Sequence, residues 1–165
     1  MPSLKKSPLA PKAKLEIFPV KGACVATVEA GLRYQGRKDL MYAVFDEGTV
    51  CAGVFTKSKT AAAPVEWCQK VLSGGKNIRA LIVNAGNANA FTGHKGREAC
   101  MTIAEAAARN TDYGSDQILQ ASTGVIGEFL DPAPVCDALK PLRGNLSENL
   151  WGDADHAIMT TDTFP

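Results

Sequence analysis

The chain has 165 residues, 45% of them apolar and 21% charged, a composition that supports one soluble domain with a packed core. Eighteen Lys and Arg against 17 Asp and Glu leave a net charge of +1, so there is no overall basic field for nucleic acid. His94 and His156 are the only histidines, and Cys24, Cys51, Cys68, Cys100 and Cys136 lie 17 to 36 positions apart, which excludes a zinc motif or a disulfide framework. No apolar run reaches ~18 residues and the start lacks a signal core, so the expectation is a cytoplasmic protein with no membrane partner.

In chain order, residues 1–15 mix Lys, Pro and Ser without periodicity and read as a flexible arm; residues 16–165 read as the folded domain. Arg37-Lys38-Asp39 reads as a solvated charge cluster, from which Arg37 can meet a substrate carboxylate. Leu40–Phe45 and Val50–Phe55 are rich in β-formers and flank Asp46-Glu47-Gly48-Thr49, which predicts a β-hairpin. Both arms are apolar on both faces, as in a sheet covered on each side. Pro64 opens a short helix with Val65, Cys68, Val71 and Leu72 on one stripe, ended by Gly74-Gly75. Ile78–Val83 predicts a third strand. Gly96–Asn110 predicts an alanine-rich helix burying Cys100, Ile103, Ala104 and Ala107. Ile118–Ala121 is a short strand. Asp131-Pro132 starts a helix that Pro141 closes, and a last helix spans about Glu148–Met159 with Leu150, Ala154, Ala157 and Ile158 inward. A hairpin followed by helices argues for α+β layering and against a βαβ dinucleotide unit.

Three polar segments are candidates for chemistry. Asn84–Gly93 (NAGNANAFTG) reads either as a structured turn or as a binding loop; it lacks a phosphate-loop lysine and the dinucleotide glycine spacing. Ser122–Gly127 (STGVIG) places small hydroxyls and glycine after a strand, where an O–H and an N–H can converge as an oxyanion hole requires, or where a helix cap can sit. No G-x-S-x-G elbow surrounds Ser122, which disfavours a Ser-His-Asp enzyme. Met159–Pro165 (MTTDTFP) carries three threonines and an acid that suit a charged amino-acid ligand, or a plain helix end. His94 and His156 read as surface or packing residues.

Gly36–Leu40, Ala52–Thr56 with Ala63–Val65, Asn84–Gly93, Ser122–Gly127 and Met159–Pro165 together resemble the N-terminal part of the ornithine acetyltransferases, the glutamate N-acetyltransferases of arginine biosynthesis. The resemblance runs from about residue 21 to the end; Ala85 stands where many members carry serine. It implies an α+β fold of the layered α/β/β/α sandwich type. It also implies a precursor that cleaves itself at an Ala-Thr bond into α and β chains, with the new N-terminal threonine as nucleophile and its amine as base. Acetyl then passes from N-acetylornithine to glutamate without metal or organic cofactor, with acetyl-CoA as a donor in some members. Thr123 and Gly124 match the family's oxyanion pair, and Thr160 its substrate-binding threonine. Pro165 precedes the family's Ala-Lys-Gly-Ser-Gly segment and the cleavage site. The resemblance therefore casts the chain as part of an α chain, inactive alone and completed by a β chain in an α2β2 heterotetramer. Two other readings keep the same residues: an N-terminal-nucleophile aminopeptidase or amidase of the same fold, and a non-catalytic binding domain.

Overall fold

The computed structural model describes residues 5–13, 16–109 and 111–165. The expectations for Met1–Leu4, Lys14–Leu15 and Asn110 lie outside the described residues. Four strands form one mixed sheet in the order β1-β2-β3-β4: β1 (Ala23–Val28), β2 (Leu40–Phe45), β3 (Ala80–Asn87) and β4 (Ile118–Val125). The first two pairings are antiparallel and β3 pairs with β4 in parallel. Parallel neighbours need a crossover, and helix α2 (Gly93–Ala108) provides it. A βαβ unit is thus present inside the α+β fold, which corrects its exclusion; it carries no dinucleotide fingerprint.

Alternation along the strands divides the core between two faces. Ala26, Leu40, Tyr42, Ala80, Ile82 and Ile118 face α2 and α3 (Ala133–Gly144), packing on Ile103, Ala107, Val135, Leu139 and Leu142. Val25, Met41 and Ala43 face the other way and meet Ala154 of α4 (Trp151–Ala157), with Leu81 and Val83 partly covered beside them. Leu40–Ala43 are buried on both faces, as the apolar run predicts. The α2 stripe Cys100, Ile103, Ala104 and Ala107 is buried as expected. In the core, the Tyr42 and Tyr113 hydroxyls hydrogen-bond to each other, and burial pushes the Tyr42 hydroxyl far above the usual tyrosine range, with Tyr113 reinforcing the shift.

The expected hairpin does not form. β2 pairs with β1 and β3, while Val50–Phe55 lies outside any strand. Two central positions beside β2 were open to any apolar strand, and β1 and β3 took them, β3 running Ala80–Asn87 where Ile78–Val83 was expected. Pro141 does not close α3, which continues to Gly144. Leu142 is 1% exposed, and its burial holds the final turn against the proline's preference. The last helix is shorter than expected; Ala154 and Ala157 point inward, but Ile158 is 39% exposed because the helix has ended before it.

The outer edge of β4 is closed by α1 (Ala63–Ser73). Trp67 Nε1 donates to the Ile118 carbonyl at 2.8 Å, and Cys68 Sγ donates to the Gln120 carbonyl at 3.1 Å. These two side chains satisfy edge groups that would otherwise pair with another chain. The opposite edge is blocked by Ser147, whose backbone exchanges two hydrogen bonds with Val25. Among the described residues no helix is long and apolar enough to cross a membrane.

Candidate functional site

Strand register gathers the candidate segments at one end of the sheet. Val28 pairs with Leu40, Leu40 with Asn84, and Asn84 with Ser122. The connection 29–39, the loop Asn84–Gly93 and the segment Ser122–Gly127 therefore emerge side by side.

The asparagines of the loop are engaged in building it. Asn84 Nδ2 donates to the Asn87 carbonyl at 2.8 Å, and Asn87 Oδ1 accepts the Asn89 N–H at 2.7 Å. Asn89 is fully buried at a φ of 46°, a left-handed angle that asparagine tolerates. Its Nδ2 donates to the Gly96 carbonyl at 3.0 Å, and its Oδ1 accepts the Thr92 hydroxyl at 2.8 Å. Of the two readings left open, the structured turn is the one the geometry supports.

Asp39 is a correction to the solvated cluster. Its carboxylate is fully buried and accepts the N–H groups of Ala30 and Leu32 at 2.7 and 2.8 Å. Its carbonyl accepts the Ala85 N–H at 2.8 Å, tying the connection 29–39 to β3. Arg37 is also committed. Its guanidinium lies 4.3 Å from the Tyr34 ring centroid and donates to the Met159 carbonyl and, at 3.4 Å, to the His156 carbonyl. Only Lys38 stays at the surface, paired with Asp153 at 2.7 Å. Sequence reasoning missed the roles of Asp39 and Arg37; a buried acid and an exposed one look alike in a charged run.

On β4 the pleat separates the two hydroxyls. Ser122 shares a face with Gln120 and donates Oγ to Asn84 Oδ1 at 2.6 Å, a structural bond. Thr123 projects from the other face with Leu119 and Ala121, since these pair with Ala85, Leu81 and Val83. Among the described residues its hydroxyl has no hydrogen-bond partner. The backbone alternates as well. Ile118 and Gln120 turn their polar groups to the outer edge, where α1 binds them, while the Val125 carbonyl turns inward to the Ala88 N–H. The same period of two turns the Gly124 N–H toward the outer edge.

Glycine at 124 is a steric requirement. Its φ is +130°, and a Cβ there would sit 2.3 Å from the Gly86 carbonyl carbon. Gly86, at φ +101°, is itself pressed from the other side: a Cβ there would lie 2.8 Å from Arg33 Cβ. The β3 and β4 backbones thus meet directly at Gly86 and Gly124, while the Arg33 and Tyr34 side chains of the 29–39 connection close over Gly86.

The structure brings Thr123 and Gly124 together as a hydroxyl donor and an N–H donor on one strand end. Thr160 comes from elsewhere. It follows α4, which packs on the same face as Thr123 but over β1 and β2. The Thr160 N–H donates to Asp162 Oδ2 at 3.0 Å, the Ser7 N–H donates to Thr163 Oγ1 at 3.1 Å, and Arg37 anchors the segment's start. Among the described residues no hydrogen bond joins Thr123 and Thr160.

The other titratable candidates stay outside this arrangement. His94 is exposed, 3.3 Å from Glu98, and His156 is exposed near the α4 end. Burial pushes the Cys100 thiol up to about 12, reinforced by neighbouring Cys68, whose own thiol burial also raises. Cys51 is exposed.

The ArgJ family profile matches residues 24–165. The arginine biosynthesis bifunctional protein ArgJ of Mesorhizobium japonicum is 50% identical over 159 residues, and that of Brucella suis 48% over 163 residues. These alignments take in 96% and 99% of this chain but 38% and 39% of the relatives, so the chain spans well under half their length. The fold is similar to the crystal structure of the Mycobacterium tuberculosis ornithine acetyltransferase complexed with ornithine, with a TM-score of 0.82 and 37% identity over 89% of this chain and 79% of that one. The ArgJ structure from Bacillus halodurans gives 0.78 and 32%, over 87% and 74%. With its α+β sandwich, its motifs in order and a profile match over most of its length, the chain belongs to the ArgJ family.

Proposed function

We propose that this chain is the N-terminal part of an acetyltransferase of arginine biosynthesis that moves acetyl from N-acetylornithine to glutamate through an acetyl-threonine intermediate. The observation that carries the proposal is the pair at the end of β4: a Thr123 hydroxyl with no partner among the described residues, next to an outward Gly124 N–H. When a threonine oxygen attacks the acetyl carbonyl, negative charge develops on the carbonyl oxygen, and two fixed donors at ~3 Å stabilise it. Collapse breaks the C–N bond and releases ornithine with a proton on its amine. Glutamate's amine then repeats the attack on the acetyl-threonine, and the same two donors serve the second intermediate. Thr160 binds the amino-acid part of the substrate. The reaction needs no metal or organic cofactor, and acetyl-CoA is an alternative donor.

The nucleophile comes from a β chain released by autocatalytic cleavage of one precursor, and this chain alone is inactive. Lengths support a divided precursor: the chain spans 38% of the M. japonicum relative but 79% of the solved M. tuberculosis chain. The solved chain is therefore about half the length such a relative has. The uncovered face around Leu119, Ala121 and Thr123 suits the second sheet of an α/β/β/α sandwich in a cytoplasmic α2β2 assembly.

The test uses the complete gene product. Acetyl transfer from N-acetylornithine to glutamate is expected, with two chains in the intact-mass spectrum. Thr123→Ala should lower kcat by ~10²–10³ with a small effect on KM. Free acetate without acetylglutamate would favour a hydrolase, and unchanged turnover in Thr123→Ala would remove that residue from the oxyanion role.

A further inference from the structure

Val50–Phe55 has the composition of a strand and no strand partner. It contains two valines and a phenylalanine, no charge and no proline, between Asp46-Glu47 and Lys57. Among the described residues, none of its backbone groups bonds to another backbone group. Gly53 lies between Leu72 of α1 and the Phe55 ring: a Cβ on Gly53 would be 3.1 Å from Leu72 Cδ1 and 3.3 Å from Phe55 Cζ. On the alternate side Val50 is 87% exposed and Val54 99%. A six-residue, uncharged, β-forming stretch left this way is an aggregation hazard.

Among the described residues it pairs with no strand of its own chain. The β1 edge is taken by Ser147, and the β4 edge along Ile118 and Gln120 is taken by Trp67 and Cys68. We infer that Val50–Phe55 is a strand of an interface, completed by a β-strand from the part of the polypeptide that lies beyond this chain in the full-length family members. Curated relatives are more than twice as long as the stretch matched here, so such a partner is available in the same precursor. A strand from that precursor meets the segment at a high effective concentration, which a second copy of the chain lacks. Main-chain hydrogen bonds would supply the pairing, and the Val50, Ala52 and Val54 side the apolar contact. The inference rests on the two-part reading of the protein and on no feature of acetyl transfer.

Hydrogen exchange on the complete gene product tests it. The amides of Cys51, Ala52, Gly53, Val54 and Phe55 are expected to exchange at least 10²-fold more slowly than an unstructured reference, independently of protein concentration. Exchange at the unstructured rate overturns the inference. Protection that disappears on dilution also overturns it, because it assigns the segment to a second copy. As a second measurement, Val54→Asp should lower the thermal midpoint of the complete protein while Lys57→Ala leaves it in place; equal midpoints for both variants and the parent count against the interface. A protein that protects this segment but transfers no acetyl keeps the inference and loses the proposed reaction.

Discussion

At residue 124 the difference between glycine and alanine is one methyl group, and there is no room for it. A Cβ 2.3 Å from the Gly86 carbonyl carbon, at a φ of +130°, must displace two strands. Gly124→Ala is therefore expected to destabilise the fold by about 2–5 kcal/mol, combining backbone strain with overpacking, as read by denaturant titration. The neighbouring hydroxyls illustrate why residue type alone misleads. Ser122 and Thr123 are chemically similar, yet the pleat commits one to Asn84 and leaves the other on the open face. Ser122→Ala should cost about 1–3 kcal/mol of stability, because Asn84 Oδ1 loses its donor in a buried site, and its effect on turnover should follow from that alone. Among the cysteines, burial holds the Cys100 thiol neutral up to about pH 12, while Cys51 is exposed. Alkylation of the native chain at pH 8 should label Cys51 readily and spare Cys100. A thiol raised above its unfolded value near ~8.5 stabilises the fold fully below that pH, and this contribution is lost as pH rises from there toward 12.

Among the elements, α1 protects the sheet as well as packing against it. Trp67 and Cys68 bind the edge groups of Ile118 and Gln120, so a helix side stands where a fifth strand would. Trp67→Phe keeps an aromatic ring but removes the indole N–H and part of the indole's volume; it should cost about 1–3 kcal/mol and speed exchange at the start of β4. The misplaced hairpin belongs to the same scale. Leu40–Phe45 and Val50–Phe55 are both rich in β-formers, and a short turn lies between them. Pairing, however, is decided by which strand can bury both faces, and β1 and β3 win at β2. Amphipathic helices were more legible, because the stripe of α2 states its own buried side. Pro141 was misread because the burial of Leu142 is invisible in a local pattern.

For the whole molecule, the candidate segments meet only because the register brings 29–39, 84–93 and 122–127 to one end and Arg37 draws in the chain after α4. Arg37→Ala should loosen that last segment: exchange at Thr160–Thr163 is expected to rise, and in the complete protein KM to increase more than kcat falls. An unchanged KM with unchanged exchange would show that Arg37 does not position it.

By itself the sequence determined the family, the helices with clear stripes, and the identity of Thr123, Gly124 and Thr160 as candidates, since motif order and periodicity are local properties carried by side-chain chemistry. Only the tertiary structure decided which strand sits beside which, that Asp39 is buried, that Gly124 faces Gly86, and that Val50–Phe55 is left without a partner. Those outcomes depend on contacts between residues far apart in the chain. Burial and pairing are settled by competition among all the segments for one sheet, and no single segment records the result.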